Sequence, residues 1–243
     1  MRETGRAGRV TGTQGRPPAV ITIARQHGAR GAAVARLVAE RLGYACWDRE
    51  LVTAIAGQLR VDPSAMTAFD EHRGSGPAGS ADDGLGERTS SMWQPSHADY
   101  VSGLNQVAQT IARRGASVVV GRGLAFLLDP EACLRVRVIC PLEQRIACLV
   151  EHAKLCPETA RATIDYVDRE RQTFVREVHG KDTEDPSSYD LLISTGAMTV
   201  DVAADVIVAA YQARFSPRPR ARSTPQPWAR ALPRTTTGVR RGR

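Results

Sequence analysis

With 243 residues, 42% of them apolar and 24% charged, the chain has ordinary globular usage, which excludes wholesale disorder and a disulfide-stapled miniature fold and leaves room for one large domain or two small ones. The net charge of +7 belongs to the ends: residues 1–19 carry four arginines and one glutamate, residues 215–243 eight arginines and no acid, and residues 20–214 stand at −4. The basic signal for nucleic acid is therefore confined to two tails whose Gly/Arg/Thr and Pro-Arg composition predicts disorder. Such tails hold RNA, DNA or an anionic membrane by counterion release, or are plain solvated extensions. No uncharged apolar run approaches the ~18 residues that span a bilayer, and the N-terminal segment has no signal-type apolar stretch, so a soluble, cytoplasmic protein is expected. The five cysteines, Cys46, Cys133, Cys140, Cys148 and Cys156, form no Cys-x-x-Cys pair and read as reduced core residues.

In chain order, Ala19 to Ala24 is a short β-branched run of the kind that forms a central parallel strand. The turn-forming stretch Arg25 to Gly31 follows, then a helix over Ala32 to Leu42 with Gly43 as its stop. Tyr44 to Trp47 predicts a second strand, Asp48 caps a helix to about Arg60, and Asp62-Pro63 opens another short one. Residues 71–97, rich in Gly, Ser, Asp and Pro, read as a flexible insert or lid within one domain spanning 20–214. A helix from Ala98 to Arg114 precedes a third strand, Ala116 to Val120, that ends in Gly121-Arg122-Gly123. Leu134 to Cys140 is the fourth strand; Pro141 and Pro157 open helices reaching Lys154 and His179. Tyr189 to Ser194 is the fifth strand, and Val200 to Arg214 the closing helix. Strands alternating with helices predict an α/β fold: a doubly wound, five-stranded parallel sheet flanked by helices, with ligands beyond the carboxyl ends of its strands.

A turn that leaves a strand and opens a helix offers backbone N–H groups and the positive end of a helix dipole, which suits a polyphosphate. The usual nucleotide loop is Gly-x-x-x-x-Gly-Lys-Ser/Thr. Here the turn reads Arg25-Gln26-His27-Gly28-Ala29-Arg30-Gly31-Ala32, so arginines stand in the two glycine positions, glycine in that of the lysine and alanine in that of the hydroxyl. The only two lysines, Lys154 and Lys181, are far away in sequence. By pattern alone, a glycine turn that merely connects strand to helix fits better than a phosphate site does.

The run Ile21-Thr22-Ile23-Ala24-Arg25-Gln26-His27-Gly28-Ala29-Arg30-Gly31, with Tyr44-Ala45-Cys46-Trp47-Asp48-Arg49-Glu50-Leu51 after the next helix, resembles the cytidylate kinase-like family. That family opens with a form like Ile-Thr-Ile-Ser-Arg-Gln-Tyr-Gly-Ser-Gly-Gly and continues with Tyr-Asp-Arg-Glu-Leu. The resemblance extends through Val118 to Gly123, Leu134 to Arg145, Val167-Asp168-Arg169-Glu170-Arg171 and Gly180 to Thr195. It implies a P-loop NTPase-type, nucleoside monophosphate kinase fold and transfer of the γ-phosphoryl of ATP to CMP or dCMP. The family commonly lacks the loop lysine; this chain differs by Arg30 in place of a glycine and Ala32 in place of a polar or basic residue.

Phosphoryl transfer asks a protein mainly to position two substrates and neutralise charge. Arg25 and Arg30 are the candidate catalytic cations, with the turn Arg25 to Ala32 as the ATP site; the other role open to Arg30 is a side chain in solvent or across the nucleotide's path. Arg122, leaving a strand between two glycines, is placed to reach an acceptor phosphate. By resemblance, Asp48 and Arg49 border the monophosphate pocket, although Asp48 suits a helix N-cap equally. Asp168, Arg169 and Arg171 match the family's lid pattern, in which Arg169 and Arg171 are further catalytic candidates that close over the phosphates and Asp168 a substrate-binding one, or form a salt-bridged solvated face with Asp165 and Glu170. Lys181 and Asp185 are further substrate-binding candidates. No His/Cys/Asp/Glu spacing marks a metal site, so magnesium is expected to rest on ATP phosphates and water, with Asp48 as an optional protein ligand. A nucleotide-binding protein of the same fold without turnover is the alternative function. The sequence leaves the oligomeric state open.

Overall fold

A computed structural model describes residues 18–62 and 96–215. The expected short helix from Pro63, the insert up to residue 95 and both tails beyond 18–215 lie outside the described residues. Five strands form one all-parallel sheet: β1 (Val20–Arg25), β2 (Ala45–Trp47), β3 (Ser117–Val120), β4 (Cys133–Ile139) and β5 (Leu191–Ser194), in the order β2-β3-β1-β4-β5. Among the described residues six helices accompany them: α1 (Gly31–Leu42), α2 (Glu50–Leu59), α3 (His97–Arg114), α4 (Leu142–Ala153), α5 (Pro157–His179) and α6 (Val200–Phe215).

Alternation along the strands sends side chains to two cores, one on each face. Ile21 and Ile23 of β1, Val118 and Val120 of β3, and Val136 and Val138 of β4 bury themselves against α1 and α6. Val20, Val119 and Cys133 face the opposite way, against α2, α3 and the Phe174-Val175 pair of α5. This is why β1 reads as a continuous apolar run: it lies in the middle of the sheet and is covered twice. The connection from β1 leads toward β2 and that from β4 toward β5, so the chain diverges between these neighbours and leaves a crevice at their carboxyl ends.

The helix ends show which local signals acted. Gly43 closes α1 in the left-handed conformation, and Ser96 and Asp99 form a reciprocal capping box at the start of α3. Pro157 occupies the first turn of α5, as expected, whereas Pro141 precedes α4 as its N-cap. Asp48 does not cap α2: Arg49 holds that position without a side-chain bond. Strand β5 begins two residues later than the apolar pattern suggested, because Asp185 turns Pro186–Ser188 into a single 3-10 turn before it. The cysteines are free, but only Cys133 and Cys140 are buried; Cys46 and Cys148 are half-buried and Cys156 is exposed, so the core reading holds for two of five. Burial pushes the Cys133 thiol up to about 11, beyond any thiolate chemistry at neutral pH.

The closing helix is fastened to the sheet's entry by a phenol chain. Tyr211 donates its hydroxyl to the Ala19 carbonyl at 3.2 Å and accepts from the Tyr44 hydroxyl at 2.8 Å, with the two rings edge to face at 5.7 Å. Tyr211→Phe leaves both partners without their bond while keeping the ring, and is expected to lower stability by about 1–2 kcal/mol in urea unfolding with an unchanged m-value.

Candidate active site at the strand ends

The carboxyl ends of β1 and β3 bring two arginines around one carboxylate. Arg25, the last residue of β1, is 8% exposed, and Arg122, which leaves β3, is 1% exposed. Arg122 donates from Nη1 to the Asp48 carbonyl at 2.6 Å and to the Val120 carbonyl at 3.3 Å. The Asp48 carboxylate stands between the guanidiniums: its Oδ1 lies 3.9 Å from Arg122 Nη1 and 4.0 Å from Arg25 Nη2. That oxygen is buried and has no hydrogen-bond partner. Asp48 thus faces two cations at ionic rather than hydrogen-bonding distance.

The conformation that aims Arg122 is imposed from behind. Gly121, Arg122 and Gly123 have successive positive φ angles of 77°, 53° and 64°, a path that favours glycine. His179, the last residue of α5, sits against this turn with Nε2 3.0 Å from the Arg122 carbonyl. A carbonyl only accepts, so the ring carries a proton on Nε2. Phe126 and Phe174 pack around the imidazole, and burial lowers its pKa below the ordinary histidine value. A Cβ on Gly123 would come within 2.3 Å of the His179 ring.

Beneath α5 these groups line a cleft open to solvent. Asp168, Arg171 and Val175 face it at i, i+3 and i+7, the spacing of one helical face. Arg171 donates from Nη1 to the Arg25 carbonyl at 3.3 Å. From β4 comes Arg137, 5% exposed, which pairs with the Glu184 carboxylate and lies over the Tyr189 ring at 5.6 Å. The Tyr189 hydroxyl accepts from Arg137 and donates to the Thr183 carbonyl, and burial raises its pKa, so it remains a neutral phenol. Arg25, Arg122, Arg137 and Arg171 thus line one cleft together with Asp168 and Glu184. A cluster of guanidiniums of this kind suits a phosphate.

The adjoining turn runs from Gln26 to Arg30. Gln26 is tied by its N–H to the Val138 carbonyl and by its side-chain oxygen to the Cys140 N–H, each at 3.1 Å. Ala29 is buried, and the Thr195 hydroxyl donates to its carbonyl at 3.0 Å. The His27 N–H donates to Asp168 Oδ1 at 2.7 Å, and Arg145 reaches Asp168 Oδ2 at 2.5 Å. Arg30 is exposed, left-handed at φ 58°, and directed to the Thr195 carbonyl at 3.3 Å. The glycine favoured at this position in the resembling family has a physical reason here: an L side chain in that conformation costs about 1 kcal/mol or more. Gly31 and Ala32 begin α1, whose first turn leaves amides without intrahelical partners.

Of the residues singled out from sequence, the structure brings Arg25, Asp48, Arg122, Asp168 and Arg171 together. Arg49 and Arg169 are exposed and absent from the cleft wall, and so is Lys181. Asp185 is exposed and accepts from the Ser187 N–H and hydroxyl, which lowers its pKa and caps the local turn. Sequence reasoning passed over Arg137, Arg145, His179 and Glu184. One signal was available for Arg137: charge at alternate positions of the buried run Leu134-Arg135-Val136-Arg137-Val138. Among the described residues no three His, Cys, Asp or Glu side chains gather as a metal site. Asp48, held between two guanidiniums, is poorly suited to a cation.

The model of the cytidylate kinase-like family matches residues 20–197, nearly three quarters of the chain. The chain belongs to that family. Membership supports a nucleotide kinase-type function. A solved structure of an uncharacterized protein from Eubacterium ventriosum shares the fold at a TM-score of 0.60, with 19% identity over 81% of this chain and 99% of that one. A shikimate kinase from Acinetobacter baumannii, in complex with shikimate, aligns at a TM-score of 0.45 with 15% identity over 82% and 96% of the two chains, too distant to carry an argument. A uronate isomerase from Corynebacterium glutamicum is 26% identical over 140 residues, 53% of this chain and 27% of that protein. The chain thus spans about a quarter of the length of that curated relative. No helix among the described residues is long and apolar enough to cross a membrane.

Two outcomes follow from His179 and its glycine. Because the folded pKa of His179 is depressed, the unfolded chain binds its proton first on acidification, so this residue's contribution to stability is complete above about pH 6.5 and is lost as pH falls below it. His179→Asn is expected to flatten that part of a melting-temperature profile between pH 5 and 7. Gly123→Ala, which meets the ring and the left-handed φ together, is expected to cost about 2–3 kcal/mol in chemical denaturation.

Proposed function

We propose that the protein transfers the γ-phosphoryl group of ATP to a nucleoside monophosphate, with CMP or dCMP as acceptor. The observation that carries this reading is the cluster of four guanidiniums on one cleft at the ends of parallel strands, beside a strand-to-helix turn. In this reading the acceptor's phosphate lies in the cleft, where Arg122 and Arg25 meet its oxygens and Arg171 closes from α5. The turn from Gln26 to Ala32 receives the donor's phosphates. An acceptor oxygen attacks the γ-phosphorus, the bond to the β–γ bridging oxygen breaks, and ADP and a nucleoside diphosphate leave. The protein's part is positioning and charge neutralisation, with α5 excluding water.

Magnesium, when it accompanies ATP, assists by neutralising phosphate charge. The carboxylates present do not fit it as ligands: Asp48 is held by two arginines, Asp168 by Arg145 and a backbone N–H, and Glu184 by Arg137. Phosphate oxygens and water would hold the ion. A second reading, nucleotide binding without turnover, is favoured by one observation, the Asp168 carboxylate seated on the turn's amide.

A coupled ADP-release assay across CMP, dCMP, UMP and AMP tests the proposal, with turnover expected on the cytidine nucleotides. Arg122→Ala is expected to lower kcat/KM for the acceptor about a hundredfold or more. Arg122→Lys should recover only part of this, since an ammonium lacks the bidentate fork. Silence on every acceptor, with nucleotides still raising the melting temperature, would replace the kinase reading with the second one.

A further inference from the structure

The turn lacks the lysine of an ordinary nucleotide loop, and neither flanking arginine takes its place: Arg25 faces Asp48, and Arg30 lies exposed against the Thr195 carbonyl. The guanidinium that reaches the His27 carbonyl, inside the turn, comes from α4. Arg145 is 9% exposed, its Nη1 is 3.4 Å from the His27 carbonyl, and a Cβ on Gly28 would stand 3.0 Å from Arg145 Cβ, so turn and arginine are in close contact.

Between them sits Asp168. One carboxylate oxygen accepts the His27 N–H at 2.7 Å, the other accepts Arg145 Nη1 at 2.5 Å, and Arg171 Nη1 stands 4.0 Å away. A backbone N–H at a turn opening a helix, together with a buried guanidinium, is a donor set that recognises two oxygens of any tetrahedral or planar oxyanion. The carboxylate does not exhaust it, since Arg145 Nε is buried without a partner. The Asp168 side chain is 28% exposed, so it can turn to water, while Arg145 cannot follow and must keep an anion beside it.

We infer that Asp168 occupies, as a stand-in, the seat of a phosphate from a polyphosphate donor, and that Arg145 supplies the cation there. This rests on the phosphoryl-transfer reading for its place in the reaction, but the seat itself is a binding site that stands or falls alone. Binding exchanges one oxyanion for another: the Asp168 carboxylate leaves His27 N–H and Arg145, and phosphate oxygens accept from both. The occupied fraction of the seat lowers the apparent affinity of the incoming phosphate in proportion.

Titration calorimetry on the full chain, with tripolyphosphate and with CMP as separate probes, decides the matter. Asp168→Asn keeps the side-chain shape and removes the competing charge, and is expected to tighten tripolyphosphate by about tenfold or more. Arg145→Lys added to that variant is expected to return most of the gain, with circular dichroism reporting that both chains are folded. An Asp168→Asn protein that is folded and binds tripolyphosphate no better than wild type overturns the inference, whatever the double variant does. So does a gain seen with CMP and not with tripolyphosphate, which would move the seat to the acceptor side. Tight tripolyphosphate binding with no ADP release on any acceptor leaves the seat in place and removes the kinase reading. ADP release by wild type without any effect of Asp168→Asn does the reverse.

Discussion

Two guanidiniums taken out of water must share a counter-charge, and the way Arg25 and Arg122 share Asp48 organises the carboxyl edge of the sheet. Removing a charged group from solvent costs several kcal/mol unless it is paired, and here one carboxylate serves two cations from different strands. The arrangement ties the end of β1, the turn after β3 and the junction of β2 with α2 into one unit. Arg137 and Arg171 line the same cleft, each beside a carboxylate, Glu184 and Asp168. Guanidiniums gathered at the ends of parallel strands are the feature of this architecture that accords with the family's kinase-type chemistry.

The turn beside the cleft holds its shape without the side chains of the usual nucleotide loop. Its backbone path depends on a strand that ends, a helix that begins, and hydrogen bonds from Gln26, Ala29 and Thr195 that hold the chain between them. None of these needs a lysine or a hydroxyl at the helix start. Positive charge is a separate requirement, and a guanidinium from another part of the chain can meet it as long as the fold brings it there.

That separation explains what could be read from the residues alone. The strands were legible because burial on both faces demands continuous β-branched runs, and the helix stops because Gly43 and Gly180 end the apolar period. Arg122 was legible because a cation between two glycines at a strand end has few other uses. The roles of Asp48 and Arg30 were left open, since a cap and a pocket residue, or a phosphate contact and a solvent-facing chain, have the same local sequence. Arg145 and His179 were passed over for a different reason. Each acts on a segment more than fifty residues distant, and only the packing of α4 and α5 against the strand ends creates the contact.

Helix α5 carries Asp168, Arg171 and His179 on a single uninterrupted span, and eleven residues separate the first from the last, a rise of about 16 Å. Its middle grips the turn after β1 and its C-terminal end braces the turn after β3. A stiff rod fixed at two points sets the distance between them. One helix thereby gauges the spacing of two turns that the sheet alone would leave to separate strands.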